Sequence, residues 1–244
     1  MGGNRIFEIC IGNSDTTNKK HEMHPHSEFA RAWLLDGPLG VPGLCDIVTE
    51  YAKYVLPDFH HGSKFLILGR DRQSRTTILK DLLHRRKHQY KYGEAVTPVK
   101  NHQLSFSTVH STMDTLPHFL MRPEKSVWVG HELPADATTS GPISQLAMNS
   151  RNYGVDFFLT AQSLLQVNSF ILRNMEVIFV YEYETRSHRL KLFDHFFNRA
   201  YRTFESFEAD LSTATKYGGC LCLDQYKYQA YHYMADPTIP NFLI

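Results

Sequence analysis

The sequence has no apolar run long enough to span a bilayer, and no apolar stretch follows its opening Met1-Gly2-Gly3-Asn4-Arg5. The first absence excludes a transmembrane helix, which needs about 20 apolar residues. The second argues against a secretory leader. Position six is Ile6, not the Ser or Thr of a myristoylation signal, so lipidation is not expected. Cysteine is scarce: Cys10, Cys45, Cys220 and Cys222 are the four in 244 residues. A chain this long does not need disulfide staples, and a soluble protein of a reducing compartment is expected. Cys220 and Cys222 lie in an apolar Cys-Leu-Cys-Leu run, where strand alternation puts both thiols on one core face. No second cysteine or histidine pair accompanies them, which weighs against a metal site. Net charge is also small, at +1 from 26 basic and 25 acidic residues. That excludes a nucleic-acid binder defined by overall charge, so any such contact requires a local patch. Internal repeats and low-complexity segments are missing too. A 42% hydrophobic content supplies an ordinary globular core.

What is present is an alternation of strands and helices. Residues 1–60 form an N-terminal segment of mixed character, and 61–244 carry the regular pattern. Lys64–Leu68 is a short apolar run suited to a buried parallel strand. A polar stretch follows from Gly69 to Arg75, then helical spacing from Thr76 to Lys87. Further strands are expected at Leu104–Val109, Ser126–Val129, Val155–Thr160, Val177–Tyr181, Gly219–Asp224 and Gln229–Tyr233. Helices are expected at Met113–Leu120, Ile143–Asn149, Ser187–Phe197 and Phe204–Ala214. This rhythm predicts an α/β fold with a largely parallel sheet.

The turn after the first strand reads Gly69-Arg70-Asp71-Arg72-Gln73-Ser74-Arg75-Thr76. A phosphate loop has a glycine, four residues, a second glycine, a lysine, then serine or threonine. Its backbone N–H groups cradle phosphate, its lysine meets the β/γ oxygens and its hydroxyl holds Mg²⁺. Gly69 and Thr76 stand in register with that pattern, and Thr77 follows. Ser74 replaces the second glycine and Arg75 the lysine. Serine takes a positive φ less readily than glycine, and a guanidinium is no simple substitute for an ammonium. Taken alone, the segment also reads as an ordinary strand, turn and helix with a solvated basic loop. A second strand, Val127-Trp128-Val129-Gly130, ends in His131-Glu132. Glu132 stands where a catalytic acid belongs, and His131 where an aspartate would coordinate Mg²⁺, a hard ion that prefers oxygen.

Further on come Asn149-Ser150-Arg151, a strand ending Thr160-Ala161-Gln162, and Arg173-Met175-flanked Asn174 before the apolar run from Val177. In this order and spacing the chain resembles, over roughly residues 60–235, the genome-packaging ATPases of nucleocytoplasmic large DNA viruses, within the FtsK/HerA group. The resemblance implies a P-loop NTPase-like three-layer α/β fold with a mostly parallel central sheet. It implies nucleotide contacts at Gly69, Ser74, Arg75, Thr76 and Thr77, with Thr76 also at the metal. It gives Glu132 the orientation of the attacking water, Gln162 the sensing of the γ-phosphate, and Arg173 a role at a neighbouring subunit's nucleotide. ATP and Mg²⁺ are the implied cofactors. A homo-oligomeric ring, viral capsid proteins and double-stranded DNA are the implied partners, in the virion or the host-cell cytoplasm. The departures at Ser74, Arg75, His131 and Asn152 leave two readings. One is a packaging ATPase-like protein with weak or absent hydrolysis. The other is a non-catalytic structural or assembly protein derived from the same fold.

Three other features are read plainly. His21-Glu22-Met23-His24-Pro25-His26 is a polar loop, since its spacing puts no ligand set on one helical face. The basic stretch His84–His88 is a solvated helix end. Tyr217, Tyr226, Tyr228, Tyr231 and Tyr233 are expected to cover a sheet face rather than stack on bases.

Overall fold

The computed structural model describes residues 59–97, 104–105, 108–110, 125–133, 141–239 except 182, 184 and 217, and 242–243. The N-terminal segment before residue 59, including the histidine-rich stretch at 21–26, the helix expected at 113–120 and Tyr217 lie outside the described residues.

The chain forms β1 (Lys64–Leu68), α1 (Arg72–Arg86), β2 (Tyr92–Val96), β3 (Leu104–Ser105) and β4 (Thr108–His110). It continues through β5 (Ser126–His131), α2 (Gly141–Tyr153), β6 (Val155–Ala161), α3 (Ser169–Asn174) and β7 (Val177–Val180). Helix α4 (Arg186–Leu192) runs on into a π-helical turn, Phe193–Phe197. After α5 (Phe204–Thr215) come β8 (Cys220–Asp224), β9 (Gln229–Tyr233) and β10 (Phe242–Leu243).

Eight strands make one sheet in the order β4-β2-β5-β6-β1-β7-β8-β9, and β3 pairs with β10 apart from it. The six strands from β4 to β7 are mutually parallel, while β8 and β9 close the sheet antiparallel. This is the three-layer α/β fold, and the burial pattern shows why it forms. Strands β1, β6 and β7 are apolar on both faces, as parallel strands covered by helices must be. Leu66 and Leu68 of β1 point into one core with Ile143 and Leu146 of α2, Ile171 of α3 and Phe207 of α5. Phe65 and Ile67 point into the other with Ile78, Leu79, Leu82 and Leu83 of α1. Phe65 stacks on Phe158 at 4.3 Å between ring centroids, and Trp128 on Phe157 at 5.0 Å. Cys220 and Cys222 share the second core as buried free thiols, on the one face that strand alternation gives them.

Several expectations are corrected. Helix α1 begins at Arg72, four residues before Thr76, because Asp71 caps it. The strand expected over 104–109 is two short pieces in two different sheets, and β2 was not anticipated. The end of α1 is not wholly solvated: Arg86 is buried against Asp156. Tyr233 covers a sheet face as expected, but Tyr226 and Tyr228 are exposed.

Candidate functional site

Strands β5, β6, β1 and β7 all run to the same edge of the sheet. Their pairing sets His131 beside Thr160, and Ala161 and Val180 on either side of Leu68. Four chain segments are therefore delivered side by side: the turn after Leu68, His131-Glu132, Gln162, and Tyr181. Gly69 is fixed by contact, since a Cβ there would lie 2.9 Å from the Cβ of Tyr181.

The turn itself is short. Asp71 adopts the extended N-cap conformation, and its carboxylate accepts hydrogen bonds from the Ser74 backbone N–H and hydroxyl, both at 2.6 Å. Arg75 N donates to the Asp71 carbonyl at 3.3 Å. The first helical amides, which would face a phosphate in an open cradle, thus serve the protein's own aspartate. Those hydrogen bonds from Ser74, side chain first, hold the Asp71 carboxyl below its usual range. The Asp-x-x-Ser pattern is a cap signal visible in the sequence, and it competes with the glycine–lysine pattern for the same residues.

Arg75, only 2% exposed, turns back over the loop. Its Nε and Nη2 donate to the two carboxylate oxygens of Glu132 at 2.8 and 2.7 Å, a bidentate pair. Its Nη1 donates to the carbonyls of Gly69 and, at 2.9 Å, Arg70. Every guanidinium nitrogen is therefore occupied within the protein. Glu132 has a φ of +58°, and its N–H donates to Thr160 Oγ1 at 3.1 Å.

His131 is fully buried between two threonines, with Nδ1 2.9 Å from Thr160 Oγ1 and Nε2 3.4 Å from Thr76 Oγ1. Burial, followed by the charges of Arg72 and Arg75, lowers its pKa to about 4, so the imidazole is neutral near pH 7. Thr76 donates its hydroxyl to the Arg72 carbonyl at 3.0 Å, and Thr77 donates to that of Gln73 at 3.0 Å.

Gln162 follows β6 at the surface. Its N–H donates to Gln166 Oε1 at 2.8 Å, and its carbonyl accepts from Tyr183 Oη at 3.2 Å. Arg173 is exposed in the last turn of α3, with its charge near His195. Gly69, Ser74, Arg75, Thr76 and Glu132 thus form one bonded cluster, and Gln162 ends the neighbouring strand. No described contact joins Arg173 to them. Asp71, Thr160 and Tyr183 belong to the cluster and were missed by motif reading: Asp71 because the phosphate-loop pattern overrode its local cap signal, Thr160 and Tyr183 because their roles are in bonds across the sheet edge.

Mg·ATP does not fit these residues as they are arranged. A triphosphate needs helix amides and a cation, but here Asp71 holds the amides and Glu132 holds Arg75. Mg²⁺ needs a free hydroxyl and an acid, but Thr76 is bonded to its own helix and faces a neutral imidazole. Among the described residues no three His, Cys, Asp or Glu side chains gather as metal ligands.

A helix entered directly from β1, with β6 separating β1 from the acid-bearing β5, defines a P-loop NTPase-like fold. No family model and no curated protein matches the chain. Among solved structures it is similar to the genome packaging NTPase B204 from Sulfolobus turreted icosahedral virus 2. In complex with ATP-gammaS, that protein gives a TM-score of 0.57 at 11% identity, covering 72% of this chain and 100% of that one. Its complex with sulfate gives 0.57 at 11%, with 73% and 98% covered. B204, the DNA-packaging ATPase from Sulfolobus turreted icosahedral virus, gives 0.53 at 11%, with 73% and 100% covered. At such identity the likeness is one of fold.

Proposed function

We propose that this chain is a viral DNA-packaging ATPase-like protein with degenerate nucleotide motifs, which hydrolyses ATP weakly or not at all. The observation that carries this reading is the bidentate pair between buried Arg75 and part-buried Glu132. The cation at the lysine position and the acid that would orient water neutralise each other. Phosphoryl transfer depends on positioned charge, so removing both from use costs several orders of magnitude in rate. Residues 61–244 are the ATPase-like domain on this reading, and residues 1–60 a segment of separate role. The protein acts in the virion or host-cell cytoplasm, as a ring with Arg173 at a subunit boundary, or with capsid proteins and double-stranded DNA. Among the described residues no helix is long and apolar enough to cross a membrane.

Nucleotide is the ligand class to test, since similar folds were solved with ATP-gammaS and with AMP. Mg·ATP is titrated calorimetrically into the full chain and into Arg75→Lys and Arg75→Ala variants, with phosphate release measured with and without duplex DNA. The expected result is no binding by the parent at millimolar ATP and no DNA-stimulated turnover. Binding gained by R75K attributes the closure to the guanidinium. R75A strands Glu132 and is expected to lose about 3–5 kcal/mol of stability. Micromolar binding by the parent that R75A abolishes, or robust turnover with DNA, overturns the inactive reading.

A further inference from the structure

The parallel strands begin at the edge of the sheet opposite the phosphate loop, and the β8–β9 turn lies there too. Asp224, the last residue of β8, pairs with Val177, the first of β7, and Gln225 N donates to the Glu176 carbonyl at 2.9 Å. The turn that follows carries Tyr226-Lys227-Tyr228. Both tyrosines are exposed, at 62% and 46%, and each has an arginine against its ring. The Arg151 guanidinium is 5.2 Å from the Tyr226 centroid and donates to its hydroxyl at 3.0 Å. The Arg199 guanidinium is 5.1 Å from the Tyr228 centroid and donates to its hydroxyl at 2.6 Å. Further along the edge Lys125 is exposed, its N–H donating to the Gly154 carbonyl at 3.1 Å.

The geometry points to a binding rim for single-stranded nucleic acid, built on the β8–β9 turn. Three observations converge on it. The first is charge: among the described residues the carboxylates of this edge are buried and paired, Asp156 with Arg86, Glu176 with Lys64 and Arg151, and Asp224 with Lys227. The exposed charge of the rim's six residues is therefore positive, in a chain whose net charge is only +1. Cations beside exposed aromatic rings, each ring backed on one face by an arginine, are what a strand offering phosphates and bases requires, whereas a duplex would hide its bases from the tyrosines.

The second is backbone conformation. The non-glycine residues with positive φ among those described are Glu132, at the phosphate loop, and Lys125 (+67°) and Tyr228 (+51°), both on this rim. Glycine or asparagine adopts that conformation far more readily, and a side chain kept there against it points to use of the side chain. The third is extent: from β5 to β8 the edge crosses four strand spacings, about 19 Å, which suits a site of about four nucleotides. This inference stands apart from the nucleotide reading, since it uses no residue of the phosphate loop.

The test is fluorescence anisotropy of a labelled oligothymidine, about ten nucleotides long, titrated with the full chain over a salt series. Tyr228→Gly suits the backbone, so its Tm is expected to hold or rise, while binding weakens about tenfold. Tyr228→Phe keeps the ring and is expected to bind like the parent. Lys227→Ala is expected to lower the salt dependence. Absence of binding by the parent at low salt overturns the proposal. Unchanged affinity in Y228G does so too, as does tighter binding of a same-length duplex than of the strand.

Discussion

At the scale of single residues, the edge of the sheet that carries the turn after β1 is governed by how its charged and titratable groups are partnered. Arg75 and Glu132 are hydrogen-bonded to each other, whereas burial leaves His131 neutral near pH 7. Burial lowers the pKa of His131 from 6.5 to about 4, so an unfolded chain takes up this proton before the folded one does. Its contribution is therefore fully present above pH 6.5 and is lost as pH falls toward 4. A fall of that size corresponds to roughly 3 kcal/mol. Urea denaturation at pH 7 and pH 4.5 checks this. The parent should lose most of that increment on acidification, and His131→Gln, which is uncharged at both values, should lose about 2 kcal/mol less. An identical loss in parent and variant would mean that other groups carry the acid sensitivity.

At the scale of elements, the opposite edge is tied together by one carboxylate at the start of β6. Asp156 is fully buried and accepts from Gly62 N at 2.6 Å, Ser63 N at 3.2 Å, Arg86 Nε at 2.9 Å and Tyr90 Oη at 2.7 Å. Arg86 also donates to the carbonyls of Phe59 and His60, so the end of α1 is tied to the chain entering β1. Asp156→Asn leaves Arg86 without its counter-charge and turns an amide toward backbone N–H groups. The expected loss is about 3 kcal/mol in urea denaturation, and a loss under about 1 kcal/mol would show that the network is incidental. None of this was legible in the sequence, because the bond partners lie 66 to 94 residues from Asp156. The strands were legible, since β1, β6, β7 and β8 are buried runs whose apolar character is nearly continuous. Strand β2 was not: Tyr-Gly-Glu-Ala-Val has neither alternation nor an apolar run, although Glu94 is buried. Gly69, Arg75, Thr76 and Glu132 were legible as members of one site through order and spacing. That Arg75 would close on Glu132, 57 residues away, is a property of the folded sheet edge and not of either motif.

At the scale of the whole molecule, the sheet separates two edges with different equipment. One carries the turn after β1, where Arg75 and Glu132 pair with each other, and the other an exposed rim of cations and tyrosines. Strand β6 joins them, and its seven residues span about 23 Å. A motor requires a ligand at one edge to change affinity at the other, and such coupling is commonly worth 5- to 150-fold. Coupling also requires that the first ligand bind two states differently. On the proposed reading, a loop already filled by Asp71 and Arg75 offers Mg·ATP no such state. Oligothymidine affinity at the rim is therefore expected to stay within about twofold with and without millimolar Mg·ATP, measured by anisotropy at constant ionic strength and free Mg²⁺. In R75K, where the guanidinium is gone, a nucleotide-dependent change would show that the path between the edges survives and that only the loop is shut. A shift of about tenfold in the parent itself would return the molecule to the class of working translocases.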